Sequence, residues 1–555
     1  MASGSVNHGD LDFTEVVTFG DLLVRSAERW ASNDALIIDD DRRTYRQLLE
    51  GSVSVARSLR GMGIGHGDHV GLLLPNCIDG VEIMFGASML GAVIVPINAR
   101  FKARELAHVI SDGDIKVLLT SDKTSEHVDF VTLLREALPL LGTAADPLKL
   151  DLPDFPMLTS VVTLGRASHP GLANRDALDA AAGDVSETEV HRLRRQAAIR
   201  STALMIYTSG TTAMPKGCPM SHESLVRTSI AAGRETFGYA SNDRFWDPLP
   251  IFHMSFILPM IGVLDAGGAF ISCEHFEPGA ALKQMIDERV TGIFPTFPAV
   301  VQALLNHPDY QPDALQRVRI TTAVAPPDAL RAMQAQLPHA VQISAYGLTE
   351  CGGVVSYNDP SDSLDLRVST QGRPFRGVEV CAKDESGHIL PPDSRGELCV
   401  RGFSVFEGYY KDPEKNAESF DADGWFHTGD LGWVDSDGRV SYQGRLKDML
   451  KVGGENVAAI EIESYLMTHE AVSIAQVVGV PDPKYVEVAA AFIELKPGAA
   501  VSGDELIAFC RAGLAGFKVP RYVRIVSEWP MSATKVQKFR LRDQICEELG
   551  YGQKT

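Results

Sequence analysis

Residues 207–217 read Tyr-Thr-Ser-Gly-Thr-Thr-Ala-Met-Pro-Lys-Gly. Thr208, Ser209, Thr211 and Thr212 carry hydroxyl donors, Gly210 admits φ > 0, and Lys216 adds a mobile cation. A backbone turning through glycine can aim successive N–H groups at one anion. A lysine suits a phosphate as a point charge. The chemistry indicated is the grip of a polyphosphate. The spacing is not Gly-x4-Gly-Lys-Ser/Thr, because Gly217 and Cys218 follow Lys216.

Two further stretches carry reactive groups. In Tyr-Gly-Leu-Thr-Glu, residues 346–350, Gly347 is expected to permit a tight turn after a buried strand. Tyr346 offers a flat face to a base, Thr349 a hydroxyl, and Glu350 a hard oxygen ligand for Mg²⁺. The other is Gly-Trp-Phe-His-Thr-Gly-Asp at 424–430, followed by Gly-Arg-Leu-Lys-Asp at 444–448. An aspartate after a glycine turn can accept both hydroxyls of a ribose, which assigns that role to Asp430. Arg445 can donate to the same sugar or to a phosphate.

The elements that must hold these groups follow from apolar spacing. Residues 203–207 predict a buried strand, so the hydroxyl-rich loop hangs from a strand's carboxyl end, where open α/β sheets bind ligands. Residues 19–62 predict an amphipathic helix, a short strand pair (35–38, with 43–45 following) and a second helix at 45–62; then come strand 70–74, a helix near 80–90, strand 93–96, a helix at 103–111 and a strand at 116–119. Alternation of this kind implies parallel sheets with helical crossovers. Residues 121–200 are expected to be irregular surface excursions. The alternation resumes from 244, and a helix is expected to open at Pro250 to Phe256. Beyond 365, short segments parted by Gly, Asp and Pro predict a small β unit. From Arg445 the order expected is strand, helix, strand, strand, helix, strand.

The length of 555 residues implies about two to four packing units. A net charge of −20 argues against non-specific nucleic-acid binding, so a bound polyanion must be held by local donors. The eight cysteines include no C-x-x-C pair, which indicates reduced thiols and neither a disulfide framework nor a zinc site. No signal peptide is evident at the start, and the most apolar stretch, 83–97, is too short to span a bilayer. The expectation is a cytoplasmic enzyme with no transmembrane segment.

The four stretches 207–217, 346–350, 427–430 and 445–448, in this order and spacing, resemble the adenylate-forming superfamily of acyl-CoA synthetases, luciferases and peptide-synthetase adenylation domains. The similarity covers roughly residues 15–545 and is greatest to the fatty-acid and aromatic-acid CoA ligases. It implies an α/β fold in two domains. Residues 1–444 would form a large ATP- and acyl-binding domain of distorted parallel sheets layered with helices, plus a small β unit. Residues 445–555 would form a small mobile α+β lid.

The same resemblance implies roles by position. Residues Thr208 to Thr212 and Lys216 would hold the β- and γ-phosphates of ATP. Ala325 and Pro326 would line the adenine, with Tyr346 stacked on it beside Gly347. Thr349 would touch the α-phosphate, Glu350 would carry Mg²⁺, and Asp430 and Arg445 would grip the ribose. Lys447 would be the hinge, and Gly453, Gly454 and Glu455 would border the pantetheine tunnel of CoA. Lys535 would be the catalytic lysine, in a loop shorter than the family's, with Lys538 as the nearby rival. Ala323 and Val486 stand where the family commonly has glycine.

Amino-acid-activating relatives place an aspartate where this chain has Phe252-His253-Met254, so an amine-bearing acid is disfavoured. His253 is expected to gate the acyl pocket, with a plain helix-start histidine as the alternative. Small apolar residues 351–355 would floor that pocket. Fatty, alicyclic, aromatic and steroid side-chain acids all fit. CoA is the expected acceptor thiol, a carrier-protein thiol the alternative, and a homodimer an assembly the resemblance admits.

Overall fold

The structure, a computed structural model, describes residues 18–551 except 124–128, 209–213, 326, 453–454 and 532–535. Apolar runs without alternation make strands covered on both faces. Val93–Pro96, Ser160–Thr163, Ala269–Ser272 and Ile320–Ala323 are wholly buried. They belong to two mostly parallel sheets. One has the order Ser160–Thr163, Ile115–Thr120, His69–Leu73, Val93–Pro96, Thr202–Thr208, Lys216–Ser221. Its pairings are parallel except the last, which is an antiparallel hairpin. The other runs Val341–Ile343, Ile320–Ala323, Gly292–Thr296, Arg244–Trp246, Ala269–Ser272, Asp34–Ile38, Asp41–Thr44. It is antiparallel only at the Asp34–Ile38 to Asp41–Thr44 pair.

Helices cover these sheets. Tyr45–Gly61 starts at a Thr44 capping box closed by Gln47 and buries Leu48, Val55, Ala56 and Leu59. It packs on Ile78–Met89, which is buried almost all round. Gly86 permits the approach, since a Cβ there would sit 2.7 Å from the Ser52 carbonyl oxygen.

Residues 121–200 depart from expectation. They contain helices Phe130–Ala137, Arg175–Ala181 and Glu187–Arg194, and strand Ser160–Thr163 forms a sheet edge. Phe130, Leu134, Leu158 and Val161 lie in one hydrophobic core with Leu118 and Val95. The intervening Pro and Gly residues mask this periodicity in the sequence, yet the short apolar segments are core, not surface.

After the second sheet the chain makes a small antiparallel sheet of Ala345–Tyr346, Ser356–Tyr357 and Arg373–Pro374. A four-stranded sheet follows, ordered Val378–Lys383, Gly396–Gly402, Phe426–Val434, Val440–Arg445. By compactness the chain divides into Met1–Glu379 with Val400–Phe426, and Val380–Cys399 with His427–Thr555.

The second unit is organised on the antiparallel ribbon Val472–Asp482 and Val486–Leu495. Alternate residues of Val486–Leu495 enter different cores. Ala489, Ala491 and Ile493 pack with Ile462, Leu466 and Leu506. Val488, Ala490 and Phe492 pack with Leu541 and Ile545 of the last helix, Lys538–Glu548. The expected order from Arg445 ended on a strand and did not include this helix, which follows strand Tyr522–Ile525. Its low apolar content hides it, because only Leu541 and Ile545, at helical i, i+4 spacing, are buried.

The fold is thus α/β, parallel sheets layered with helices, with a C-terminal domain built on antiparallel strands. No helix among the described residues is long and apolar enough to cross a membrane.

Candidate active site

Thr202–Thr208 and Lys216–Ser221 form an antiparallel pair that ends with Thr208 opposite Lys216, at the carboxyl end of a strand that is parallel to its other neighbour. Ser209, Gly210, Thr211 and Thr212 lie outside the described residues. The hairpin base is anchored by acids: the Tyr207 hydroxyl donates to Asp112 Oδ2 at 2.6 Å, and Tyr410 to Asp114 Oδ2 at 2.8 Å. Tyr410 N–H also donates to the Gly217 carbonyl at 2.9 Å.

This contact brings in a segment that sequence reasoning missed. Lys216 Nζ is 2.6 Å from Asp412 Oδ2 and 5.7 Å from the centroid of the Tyr409 ring. The Lys216 ammonium holds the Asp412 carboxyl below the usual range, and the Lys415 N–H it caps acts the same way. The Tyr409 hydroxyl donates to Glu350 Oε1 at 3.0 Å, and Phe406 N–H donates to the Glu350 carbonyl at 2.8 Å. The only sequence signal was the polar run Gly-Tyr-Tyr-Lys-Asp-Pro at 408–413, which reads as an ordinary turn.

Glu350 and the hairpin meet on a second path. Thr208 Oγ1 lies 3.6 Å from Cys218 Sγ. Burial pushes that thiol well up, and the neighbouring Glu350 carboxylate adds to the shift. Thr208, Lys216 and Glu350 are therefore linked through Cys218 and Tyr409, with the Tyr409 ring between the cation and the carboxylate.

Thr349 and Glu350 sit in a 3₁₀ turn, Thr349–Cys351, closed by Gly352 at φ 71. Gly347 does not take a positive φ. Its role is close approach: an added Cβ would meet the Gly353 carbonyl oxygen at 2.3 Å. Gly353, at φ 92, is pressed on helix Met254–Ala266; a Cβ there would be 2.8 Å from Met254 Cβ. His253 precedes that helix at its N-cap, half-buried, with its ring 4.8 Å from that of Phe252. The helix expected from Pro250 thus starts at Met254. Of the small residues after Glu350, Gly353 lies against the start of this helix.

Tyr346 is buried at the end of Ala345–Tyr346, and Ala325 is half-buried beyond Ile320–Ala323. Pro326 lies outside the described residues. At Thr296, which ends Gly292–Thr296, a β-branched residue adopts φ 42. Such a conformation is costly and collects at ligand-binding rims.

The second unit assembles its own cluster. Asp430 and Arg445 are cross-strand partners on Phe426–Val434 and Val440–Arg445, with Arg445 Nε 2.8 Å from Asp430 Oδ1. Gly429, at φ 70, turns the chain ahead of Asp430. Glu397 braces this turn: one oxygen accepts from Gly429 N–H at 2.9 Å and the other lies 2.7 Å from His427 Nδ1. Lys447 follows in the exposed turn Leu446–Asp448. A crevice of about 50 Å³ opens beside Arg445, lined also by Tyr442, Asp448, Glu463 and Lys538. Lys538 Nζ is engaged there, 2.6 Å from the buried Glu463 Oε1. Glu455 begins strand Glu455–Ala458. Gly453, Gly454 and Lys535 lie outside the described residues.

Among the described residues, Glu397, Cys399 and His427 are the one group of three with metal-ligand atoms within 4.8 Å of one another. Its carboxylate is occupied by Gly429 and His427. Glu350 belongs to no such group among the described residues, and a single carboxylate is enough for Mg²⁺, an ion bound through one or two carboxylates together with substrate phosphates.

With this geometry in view, comparison with known proteins is direct. Residues 23–410 match the family model of the AMP-binding enzyme, and 461–535 match that of the AMP-binding enzyme C-terminal domain. YngI of Bacillus subtilis (strain 168) is 34% identical over 538 residues, spanning 96% of this chain and 97% of that protein. The mitochondrial medium-chain acyl-CoA ligase ACSF2 of Rattus norvegicus is 31% identical over 547 residues, 96% of this chain and 88% of its own. The crystal structure of the anthranilate CoA ligase AuaEII with anthranoyl-AMP superposes with a TM-score of 0.82 at 26% identity, covering 96% of this chain and 99% of that one.

Proposed function

The chain belongs to the family of AMP-binding enzymes, and from that premise we propose that it is an AMP-forming carboxylic acid–CoA ligase. The observation that carries this is the gathering of Thr208, Lys216 and Glu350, through Cys218 and Tyr409, at the hairpin. A carboxylate oxygen of the acid attacks the α-phosphorus of ATP, the bond to the bridging oxygen breaks, and pyrophosphate leaves. The product is an acyl-adenylate. The CoA thiol, losing its proton, then attacks the acyl carbon; AMP departs and a thioester remains.

Both steps bring anions together, so the protein acts mainly by position and charge. Thr208 with residues 209–212 and Lys216 would hold the β- and γ-phosphates. Ala325, Pro326, Tyr346 and Gly347 would bound the adenine, Thr349 the α-phosphate, and Asp430 with Arg445 the ribose. Glu350 would hold Mg²⁺, which when bound neutralises charge on the departing pyrophosphate. Lys535 would stabilise the transition state of adenylation. Movement at Lys447 between a large domain, 1–444, and a lid, 445–555, would exchange one half-reaction for the other. Gly453, Gly454 and Glu455 would then border the pantetheine passage.

The absence of a carboxylate at 252–254 supports an acid without an amine, with His253 at the pocket entrance. Fatty, alicyclic, aromatic and steroid side-chain acids are the classes in view, a range that includes the medium-chain substrates of the rat relative. A cytoplasmic homodimer completes the proposal. The test is ATP-dependent pyrophosphate release over a panel of carboxylic acids, with and without CoA. Thioester and AMP formed only with CoA support it; no pyrophosphate with any acid ends it.

A further inference from the structure

Five polar groups outside the phosphate site are buried without protein partners. Asp247 is fully buried; its Oδ1 accepts from Leu249 N–H at 2.8 Å, and its Oδ2 has no partner. The hydroxyls of Thr322, Ser344, Tyr357 and Tyr239 are likewise buried and unpaired. Thr322 and Ser344 are at most 1% exposed, and Tyr357 is 4% exposed.

Sheet register and ring contacts bring four of them, Asp247, Thr322, Tyr357 and Tyr239, to one side of the sheet. Trp246, Ile293, Thr321 and Gln342 form one row across four parallel strands. One residue onward, Asp247 and Thr322 fall in the next row and face the other side. Phe245 and Phe294 share that side, and both rings meet Phe237, at 5.7 and 6.1 Å. Phe237 in turn contacts Tyr357 at 5.3 Å and stacks on Tyr239 at 5.1 Å. Asp247 also acts electrostatically on both phenols, adding to the rise that burial causes. The result is an aromatic cluster with polar tips, at the carboxyl ends of parallel strands, where such sheets take ligands. It is continuous in sequence with the reaction motifs: Asp247 precedes His253, and Tyr357 follows Glu350.

We propose that this cluster is the distal end of the acyl site and that it selects acids whose apolar body carries a hydroxyl or ketone oxygen remote from the carboxylate. A saturated chain would leave buried polar groups unpaired, which is how a site rejects an analogue lacking the matching atom. Burial keeps the Asp247 carboxyl protonated well above the usual range, so it can donate to such an oxygen alongside the phenols. The inference rests on the ligase reading above.

The test uses matched pairs: a straight-chain alkanoic acid against its oxo derivative of equal length, and cyclohexylpropanoic acid against its 4-oxo derivative. Wild type should favour the oxygenated member at least tenfold in kcat/KM. Tyr357→Phe and Asp247→Leu should draw the ratio toward one, and Asp247→Asn, which keeps a donor, should restore most of it. A wild-type ratio near one overturns the proposal. So does a ratio unmoved by the variants, the result expected if ordered water satisfies these groups. Calorimetric binding of the same pairs reads the subsite independently of turnover. No pyrophosphate from any acid would sink the ligase reading, whereas equal binding of paired acids would sink this one.

Discussion

The Tyr409 hydroxyl donates to Glu350 Oε1 at 3.0 Å, although 59 residues separate them. The same Tyr409 ring lies under the Lys216 ammonium. One aromatic side chain thus spaces the proposed phosphate-binding cation from the proposed metal carboxylate. Removing the charge of Glu350 with Glu350→Gln should lower the adenylation rate about 100-fold and raise the Mg²⁺ concentration needed for half-maximal pyrophosphate release. Tyr409→Phe, which only frees the carboxylate, should cost about tenfold or less. Equal losses in the two variants would remove Glu350 from its proposed role.

The two half-reactions should separate by mutation. Lys535→Ala is expected to slow adenylation severely while still allowing thioester formation from supplied acyl-adenylate. Lys447→Pro, which fixes φ at the proposed hinge, should spare pyrophosphate release and block transfer to CoA. Single-turnover assays of each half distinguish these outcomes.

Lys538 is tied to Glu463, which also accepts from Val477 N–H at 2.7 Å. Lys538→Met would strand a buried carboxylate, at a cost of about 3 kcal/mol, read as a lower denaturation midpoint. Adenylation at low temperature should fall far less than in Lys535→Ala. A collapse of adenylation with unchanged stability would make Lys538 the catalytic lysine instead.

His222 supplies a pH dependence. It is fully buried, its Nδ1 accepts from Phe19 N–H at 3.2 Å, and burial pushes the imidazole down to about 4. Because the folded value lies below the unfolded one of about 6.5, the unfolded chain binds the extra proton between them. Stability should therefore be fully present above about pH 6.5 and lost as pH falls toward 4, by roughly 3 kcal/mol. Denaturation curves of His222→Asn should lack this slope.

Val486 adopts φ 69 and is exposed. A β-branched residue in the left-handed region is strained, and glycine there is not. Val486→Gly should stabilise the second unit by about 1 kcal/mol, seen as a higher midpoint without change in activity. The sequence comparison with the family had marked this position, and the backbone angle supplies the reason glycine is common there.

The local motifs were legible because their chemistry is local. The strand before 207–217, the placement of Asp430 after a glycine turn and its neighbour Arg445 all follow from short-range order. Gly347 shows the limit: the sequence suggests a tight turn there, but a Cβ at this position is excluded by the backbone of Gly353, which no local rule names. Tyr409 and Asp412 were invisible because their partners are Glu350 and Lys216, the latter 196 residues away. The helix Lys538–Glu548 escaped notice because two buried side chains suffice once Val486–Leu495 exposes a second apolar face.

From residue order alone came the α/β alternation, the family and the candidate nucleotide motifs, since periodicity and turn chemistry act over a few residues. Only tertiary structure decided that Lys216 rests on Asp412, that Glu463 claims Lys538, and that Asp247 shares a buried face with Tyr357. Those pairings arise when sheet register brings distant segments into contact, and burial then turns ordinary polar side chains into a selective site.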